Sequence, residues 1–422
     1  MSRRDPAEVD AYLRSFILDD ELSGQRTLRE GTTFLDTVTI SGSETIRYTN
    51  EYWTARQRQA AKIHEISYRA CFKPQLPRFF INLLTKPGEC VYDPFAGRGT
   101  TPLEAGLLGR HVIANDINPL SRILTFPRFF IPDPGEVKAR LLSIPYERGL
   151  KADRDLSMFY HPETEAEIIS LRRYLLEREC AGILDHTDQW IRMVATNRLT
   201  GHSPGFFSVY TLPPNQAVSP DRQIRINETR GQHPPYRSTR DIMLKKTRML
   251  VKEISEQESR NLREAGEGLL FLTGDAQRTP AIPDNSVSLT VTSPPFLDIV
   301  QYSADNWLRC WFNGIDEEEI ASRITRLRKV SDWADVMQGV FHELFRITRP
   351  GGWVAFEVGE VRNRSVMLDE VIVPIGKNAG FTCFGIVINS QDFTKTANIW
   401  GVSNMESGTN TNRIVLFQKE ER

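Results

Sequence analysis

Residues 93–101 read DPFAGRGTT and lie between a predicted strand, Glu89 to Tyr92, and a predicted helix, Pro102 to Leu108. Gly97 and Gly99 allow another group to approach the backbone closely, and the amino end of the following helix favours negative charge. No Lys-Ser or Lys-Thr pair follows the glycines, and the third glycine of a dinucleotide-binding loop is missing, so neither of those loops is predicted. A strand, a glycine loop, a helix and a second strand in this order predict a doubly wound α/β fold.

Two acidic residues follow predicted strands farther along the chain. Asp116 ends the strand after the glycine-loop helix, where such folds hold a ribose diol. Asp275 closes a later β segment, where it would meet the amine of a nucleoside base. Asp116 would also suit a helix cap, and either residue would suit a turn. Together with the glycine loop, the two acids predict a nucleoside-type cofactor site at the strand ends.

Another strand end carries TSPPF at residues 292–296. Two consecutive prolines fix φ near about −65° and donate no backbone hydrogen bond, so the flanking carbonyls form a rigid row of acceptors beside an aromatic ring. Such a row suits an amino group on a flat ring, because the carbonyls accept its protons while the aromatic side chain lies against the ring face. A proline-stiffened loop beside a core phenylalanine is the alternative interpretation.

The composition is that of an ordinary globular chain long enough for two or three domains. Of the 422 residues, 25% are charged and 40% hydrophobic, and no apolar run reaches the roughly 20 residues that span a bilayer. The amino-terminal residues lack the apolar core of a secretory signal. The five cysteines are scattered with no Cys-x-x-Cys pair, and the seven histidines show no metal-ligand spacing. These features predict a cytoplasmic protein without a bound metal or a membrane segment.

The charge is unevenly distributed although the net charge is only −1. Residues 191–250 contain ten lysines and arginines against three acidic residues. A basic island in a neutral chain indicates a polyanionic partner or, alternatively, a solvated positive face. This island falls in a stretch without the βα alternation, so we predict four segments: an extension (1–60), a cofactor-binding half (61–130), an inserted basic region (131–265) and a catalytic half (266–422).

The four motifs together resemble the amino-methylating DNA methyltransferases. These motifs are DPFAGRGTT, NDINP at residues 115–119, GDA at residues 274–276 and TSPPF. Enzymes of that family use S-adenosylmethionine to modify N4 of cytosine or N6 of adenine. The resemblance covers roughly residues 60–130 and 265–422. It implies a doubly wound, mostly parallel seven-stranded sheet with an antiparallel C-terminal strand, split by an inserted target-recognition module that binds double-stranded DNA.

The resemblance also implies roles for particular residues. The predicted cofactor-binding residues are Asp93, Phe95, Gly97, Gly99, Thr100, Asp116 and Asp275, with segment 72–79 packing beside the methionine end. The predicted catalytic residues are Ser293, Pro294, Pro295 and Phe296. The predicted DNA-binding residues, from the basic island, are Arg222, Arg225, Arg230, Arg237, Lys245 and Lys246. A stretch at residues 205–215, GFFSVYTLPPN, is predicted only as a DNA-facing loop.

The residue types suggest the chemistry. Acceptors at Ser293 and at the Pro294 carbonyl would free the delocalised lone pair of an aromatic amine, which would then take up the methyl group without a covalent enzyme intermediate. The chain has no Pro-Cys dipeptide, the nucleophile motif of C5-cytosine methylation. The target base would be flipped out of the duplex and stack on Phe296. Ser293 favours cytosine N4, with adenine N6 as the alternative; a companion restriction endonuclease and a catalytically silent DNA-binding module are the other open possibilities.

Overall fold

A computed structural model describes residues 5–18, 33–54, 60–68, 71–212, 217–295, 302–323, 329–358, 360–361, 366–390 and 411–421. The strands are β1 (Phe34–Ile40), β2 (Ser43–Asn50), β3 (Cys90–Asp93), β4 (His111–Asn115), β5 (Leu270–Leu272), β6 (Val287–Thr292), β7 (Thr348–Val358), β8 (Glu360–Val361), β9 (Val366–Met367), β10 (Thr382–Ser390) and β11 (Thr411–Gln418).

Nine strands form one sheet in the order β1-β2-β10-β11-β7-β6-β3-β4-β5. The seven strands from β10 to β5 match the predicted sheet, and among them β11 runs antiparallel to both of its neighbours. Strands β1 and β2 of the N-terminal extension belong to the same sheet, because β1 pairs with β2 and β2 pairs in parallel with β10. The N-terminal extension therefore widens the sheet from seven strands to nine.

The helices are α1 (Pro6–Arg14), α2 (Gln75–Leu84), α3 (Thr100–Leu107), α4 (Leu120–Thr125), α5 (Pro134–Ser143), α6 (Pro162–Cys180), α7 (His186–Arg198), α8 (Pro220–Arg230), α9 (Thr239–Val251), α10 (Glu256–Glu267), α11 (Tyr302–Phe312), α12 (Glu317–Arg323), α13 (Val330–Ile347) and α14 (Leu368–Ala379). Helices α5 to α10 lie between β4 and β5, where the inserted region is predicted. Most of them begin at a side-chain cap: Asp185 and Ser255, for example, each form a reciprocal capping box.

Two large hydrophobic clusters cover the two faces of the sheet, and a third fills the inserted region. The third cluster also contains Ile66 and Tyr68 from the segment before α2, and Leu308 and Trp311 from α11. The inserted helices therefore share a core with both halves of the sheet domain. Tyr68 of this shared core lies next to Gly97, so the insert packs beside the glycine loop at the carboxyl end of β3.

Candidate functional site

The glycine loop wraps around the carboxylate of Asp116. The Gly97 N–H donates to Asp116 Oδ2 at 2.7 Å, and the Asn118 N–H donates to Oδ1 at 2.8 Å. Both loop glycines have positive φ, +52° at Gly97 and +79° at Gly99, which glycine adopts without steric cost. A Cβ built on Gly99 would lie 2.3 Å from Thr125, so this position has no room for a side chain.

Asn115, which sequence reasoning did not single out, joins the two loops that carry the predicted cofactor residues. Its Nδ2 donates to the Pro94 carbonyl at 3.2 Å and to the Gly274 carbonyl at 3.0 Å. A Cβ on Gly274 would meet no heavy atom within 4 Å, so the loop surface in front of it is open. The structure therefore brings the glycine loop, Asp116 and the Gly-Asp-Ala turn to one edge of the sheet.

These residues fit a nucleoside cofactor. Burial raises the pKa of the Asp116 carboxyl to about 6, against the hydrogen bonds from the Asn118 and Gly97 N–H groups. A carboxylate still has lone pairs to accept bonds from two hydroxyls after these two contacts. Close by, Asn118 Nδ2 is a buried donor without a partner among the described residues. An unused buried donor beside a buried acceptor is a polar arrangement that suits a ribose.

The carboxylate of Asp93 connects the cofactor loop to the Ser-Pro-Pro motif. Asp93 ends β3 and Thr292 ends the neighbouring β6, and the Thr292 hydroxyl donates to Asp93 Oδ1 at 2.6 Å. The Phe95 N–H donates to the same oxygen at 3.1 Å. Burial raises the pKa of the Asp93 carboxyl to about 7, although these hydrogen bonds oppose the shift. One carboxylate thus holds both motifs in a fixed relative position.

The segment after Thr292 is held from the other side by residues that sequence reasoning missed. The Trp333 indole N–H, on α13, donates to the Pro295 carbonyl at 3.2 Å. Glu357, on β7, is hydrogen-bonded to the side chain of Ser293, and Asn412 Nδ2 donates to Glu357 Oε1 at 2.6 Å. Burial raises the pKa of the Glu357 carboxyl to about 7, against both hydrogen bonds. An acid at the end of a predicted strand beside β6 was the available signal for this residue.

Tyr68 is another residue at the site that the sequence did not reveal. Its ring lies 3.7 Å from the position of a Cβ on Gly97, so it covers the glycine loop. Four cations from different segments of the chain, of which all but Arg98 are buried, hold the backbone just before it. They donate to the carbonyls of Ile63 (from Arg128, 3.2 Å), Glu65 (from Lys246, 2.7 Å), Ile66 (from Arg98, 3.1 Å) and Ser67 (from Arg309, 3.1 Å).

For three other predicted cofactor residues, the contacts in the structure give less support for a role in cofactor binding. The Thr100 hydroxyl accepts a hydrogen bond from Arg98 Nε at 3.3 Å, and the residue is buried. Phe95 is half-buried and packs against the core. Asp275 is exposed, and its carboxylate accepts from the Gln277 N–H at 2.9 Å and from Gln277 Nε2. Asp275 therefore stabilises its own turn, and an adenine role for it stays a prediction.

Four of the six predicted DNA-binding residues lie on the surface of the insert. Arg222, Arg225 and Arg230 on α8, with Tyr210, line an open groove of about 720 Å³. The guanidinium of Arg230 lies over the Tyr210 ring, 3.9 Å from its centroid. Lys245 on α9 is also exposed. Arginines beside an open groove can donate to phosphates or to base edges.

Of the other two predicted DNA-binding residues, Lys246 is buried and Arg237 is half-buried. Lys246 is 6% exposed, with its Nζ on the Glu65 carbonyl. Arg237 donates to the Ser203, Phe206 and Ser208 carbonyls and so fixes the shape of residues 203–208. Their donors are used by the protein itself, so the structure does not bring them to the exposed basic face. Phe296 and residues 213–215, also predicted at the site, lie outside the described residues.

This strand order, with a glycine loop after β3 and an acid after β4, matches the sheet that the resemblance to S-adenosylmethionine-dependent methyltransferases implies. A family model described as DNA methylase, of N6- and N4-methylating enzymes, matches residues 23–121. The type II methyltransferase M.BsoBI from Geobacillus stearothermophilus is 23% identical over 277 residues, which are 60% of this chain and 53% of that protein. The type II methyltransferase M.MvaI from Kocuria varians is 32% identical over 97 residues, which are 22% and 20% of the two chains.

Among solved structures, a putative DNA modification methylase from Thermus thermophilus, complexed with S-adenosyl-L-methionine, is similar. It is 23% identical with a TM-score of 0.23, and the match covers 35% of this chain and 52% of that one. The chain thus spans about half or less of the length of these relatives. The family model and the two curated relatives confirm the resemblance to the amino-methylating DNA methyltransferases.

The part of the chain that the structure describes contains neither a membrane-spanning helix nor a cluster of metal-ligating side chains. No helix there is long and apolar enough to cross a membrane. No group of three or more His, Cys, Asp or Glu side chains there could hold a metal ion.

Proposed function

We propose that the protein is an S-adenosylmethionine-dependent DNA methyltransferase that methylates the exocyclic N4 of a cytosine flipped out of duplex DNA. The observation that carries this proposal is the hydrogen bond from Thr292 to Asp93, which joins a cofactor loop to an acceptor array for an amine. A methyl donor and an amino group held by the two loops would meet at one sheet edge. The family match supports amino methylation of DNA and S-adenosylmethionine as cofactor.

The glycine loop, Asp116 and Tyr68 would hold the cofactor. When bound, S-adenosylmethionine supplies an electrophilic methyl group on a sulfonium. Asp116 would accept bonds from the ribose hydroxyls, and the close-packed backbone at Gly97 and Gly99 would enclose the methionine part. Tyr68, which covers Gly97, shields this end of the pocket from water. An aromatic face is also a favourable neighbour for a positive charge.

Ser293 and Glu357 would handle the proton that methylation of an amine releases. The Ser293 hydroxyl can donate to the Glu357 carboxylate and accept from the amine N–H at the same time. A carboxyl whose pKa is about 7 accepts a proton readily at neutral pH, because its two forms are then nearly equal in free energy. Trp333 keeps the Pro295 carbonyl in place, so the acceptor array does not rearrange when the amine binds.

Product analysis tests the proposal. Purified protein is incubated with duplex DNA and S-adenosylmethionine labelled in the methyl group, and the DNA is digested to nucleosides. N4-methylcytosine is the expected product. N6-methyladenine would replace the cytosine assignment with the alternative, because either amine fits the same acceptors. Label confined to RNA or protein would refute DNA methylation, and cofactor-independent, salt-sensitive DNA binding without any product would indicate a catalytically silent module.

A restriction-modification or defence role is the setting that this activity suits. In that setting, a companion endonuclease would cut the same sequence when it is unmethylated. To test for such a partner, the methylated sites are mapped in DNA from the source cells. That DNA is then incubated with the cell extract before and after demethylation, and its cleavage is measured. Cleavage of both forms at equal rates would refute it.

A further inference from the structure

The end of α7 carries two neighbouring side chains with donors that the described residues leave unused. Asn197 is 1% exposed, and its Nδ2 is buried without a partner. The adjacent Arg198 Nε is also buried without a partner. Arg198 Nη2 donates to Asn197 Oδ1, so the amide orientation is set and its NH₂ group points away from that bond. A bound group with hydrogen-bond acceptors would satisfy both of these buried donors.

The guanidinium of Arg198 is held in a defined plane. Its Cζ lies 3.9 Å from the centroid of the Phe206 ring, and Phe206 is buried. Stacking of this kind covers one face of the guanidinium and leaves its N–H groups for a partner that presents two oxygens. Arg198 itself is half-buried, so part of its side chain is exposed to solvent, whereas its Nε is covered.

The loop that carries Phe206 is itself rigid. Arg237 donates to three of its carbonyls, and the Phe207 N–H donates to the Arg198 carbonyl at 2.8 Å. A Cβ on Gly201 would lie 2.4 Å from the Phe206 ring, which shows how closely the ring packs. This is the stretch for which the sequence predicted only a DNA-facing loop. The structure makes it a fixed support for Arg198.

The surroundings are positively charged. Lys246 and Arg309 lie close enough to Arg198 for mutual repulsion, and the nearby carboxylates are Glu65, which is exposed, and Asp305. Burial, reinforced by this repulsion, lowers the pKa of Arg198 to about 10 and that of Lys246 to about 7. The charged guanidinium groups of Arg198 and Arg309 favour a full negative charge over a neutral hydrogen-bond acceptor, because only an anion offsets their repulsion.

We infer that Asn197 and Arg198 bind one phosphate of the target DNA strand at the junction between the insert and the catalytic half. The inference rests on the proposed function and specifies how that substrate is held. Helix α11 follows the Ser-Pro-Pro motif and carries Arg309, which lies close to Arg198. The same helix contacts the insert, because the Asp305 carbonyl accepts from the Ala217 N–H at 2.8 Å. Arg198 therefore lies at this junction. A phosphate fixed here anchors the backbone next to the site where the base leaves the duplex. A guanine edge, the other common partner of arginine, carries no charge and leaves the cation excess in place.

The test compares Arg198→Gln with Arg260→Gln in the full chain. Arg260 is exposed on α10 and pairs with Glu256 of its own helix, so it is a matched control. The dissociation constant for a short duplex with the methylated site is measured at several salt concentrations. Loss of one phosphate contact lowers the slope of log affinity against log salt by about 0.9, with about a tenfold loss of affinity, in Arg198→Gln. We expect no change in Arg260→Gln, and an unchanged slope in Arg198→Gln would overturn the inference.

Neutral methylphosphonates, placed one at a time along the target strand, identify the phosphate. We expect one position at which neutralisation weakens wild-type binding about tenfold but leaves the Arg198→Gln protein unaffected. If every position weakens both proteins equally, Arg198 has no phosphate partner. Relaxed base preference with an unchanged salt slope would mean that Arg198 reads a base, which also overturns the inference.

Two further measurements separate this inference from the proposed function and from misfolding. Cofactor affinity, measured by calorimetry, is expected to be unchanged in Arg198→Gln. Arg198→Lys is expected to restore the salt slope but only part of the affinity, because an ammonium keeps the charge without the two-pronged edge. If wild-type protein neither binds nor methylates DNA, the proposed function fails together with this inference. Normal wild-type methylation with no effect of either Arg198 substitution refutes the phosphate contact alone.

Discussion

Replacement of Glu357 by glutamine is expected to stabilise the folded protein, increasingly so at higher pH. The folded-state pKa of about 7 lies above the ordinary value of 4.5 because the carboxyl is buried. A carboxyl whose pKa is raised by folding costs no stability at pH values below its pKa in the unfolded state. The cost grows as the pH rises toward its pKa in the folded state. The two pKa values correspond to a cost of ~3 kcal/mol at pH 8 and ~1 kcal/mol at pH 5. Glutamine cannot ionise and escapes this cost.

The measurement is urea denaturation of both proteins at pH 5 and at pH 8. Glutamine keeps the shape of the side chain and an oxygen for Asn412, so pH-independent effects cancel when the two pH values are compared. The free energy of unfolding of E357Q, relative to wild type, is expected to rise by ~2 kcal/mol between pH 5 and pH 8. A relative stability that stays constant, or falls, over this range would refute the burial argument.

Glu343 provides the control for this experiment. Hydrogen bonds from Arg346, assisted by Thr279, lower the pKa of the Glu343 carboxyl to about 2. This carboxylate is ionised in the folded state at both pH values and largely ionised in the unfolded state, so E343Q is expected to be destabilised by nearly the same amount at each pH.

The E357Q protein is also expected to have a kcat at least a hundredfold lower than wild type. Wild-type turnover is expected to rise as the pH passes through about 7, and E357Q is expected to lose this rise.

Three other substitutions test cofactor binding, turnover and the packing of the glycine loop. Asp116→Ala is expected to weaken S-adenosylmethionine binding at least tenfold by calorimetry, because the ribose loses its acceptor; unchanged affinity contradicts this role. Pro294→Ala is expected to spare cofactor affinity and reduce turnover in the product assay, and equal damage to both would contradict its placement at the amine. Gly99→Ala is expected to lower thermal stability by ~3 kcal/mol, since its Cβ would clash with Thr125 and its φ is positive. Thr125→Gly in the same chain should recover the packing part of that loss, and no recovery would show that the clash is not the cause.

Local patterns in the sequence predicted the elements well. The predicted strand Glu89 to Tyr92 differs from β3 by one residue at each end, and the predicted helix Pro102 to Leu108 differs from α3 by no more than two. Alternation of apolar residues and turn residues carries this information within a few neighbouring positions. The pairing of β2 with β10 was not predictable in this way, because it joins residues more than three hundred positions apart. Nothing near residues 43–50 marks them as part of the central sheet.

The candidate site shows the same division. The strand-end residues Asp93 and Asp116 were found because a strand end is a local feature. Tyr68 and Glu357 were missed because their positions depend on packing between distant segments. The basic island overstated the exposed charge, since charge in a sequence does not distinguish Lys245, which faces solvent, from Lys246, whose Nζ is bonded to a carbonyl.

The core that the insert shares with Ile66, Tyr68 and α11 has a consequence for how target specificity can change. An insert with a hydrophobic core of its own could be exchanged between related enzymes as an independent recognition domain. Here, exchange would cut through packing that also supports the aromatic cover of the glycine loop and the helix after the Ser-Pro-Pro motif. If α8 reads DNA as we propose, new specificity would therefore arise by substitution on the exposed face of α8 rather than by replacement of the region. Chimeras joined at residues 131 and 265 should lose cofactor affinity along with the old recognition sequence, whereas face-only grafts should keep it.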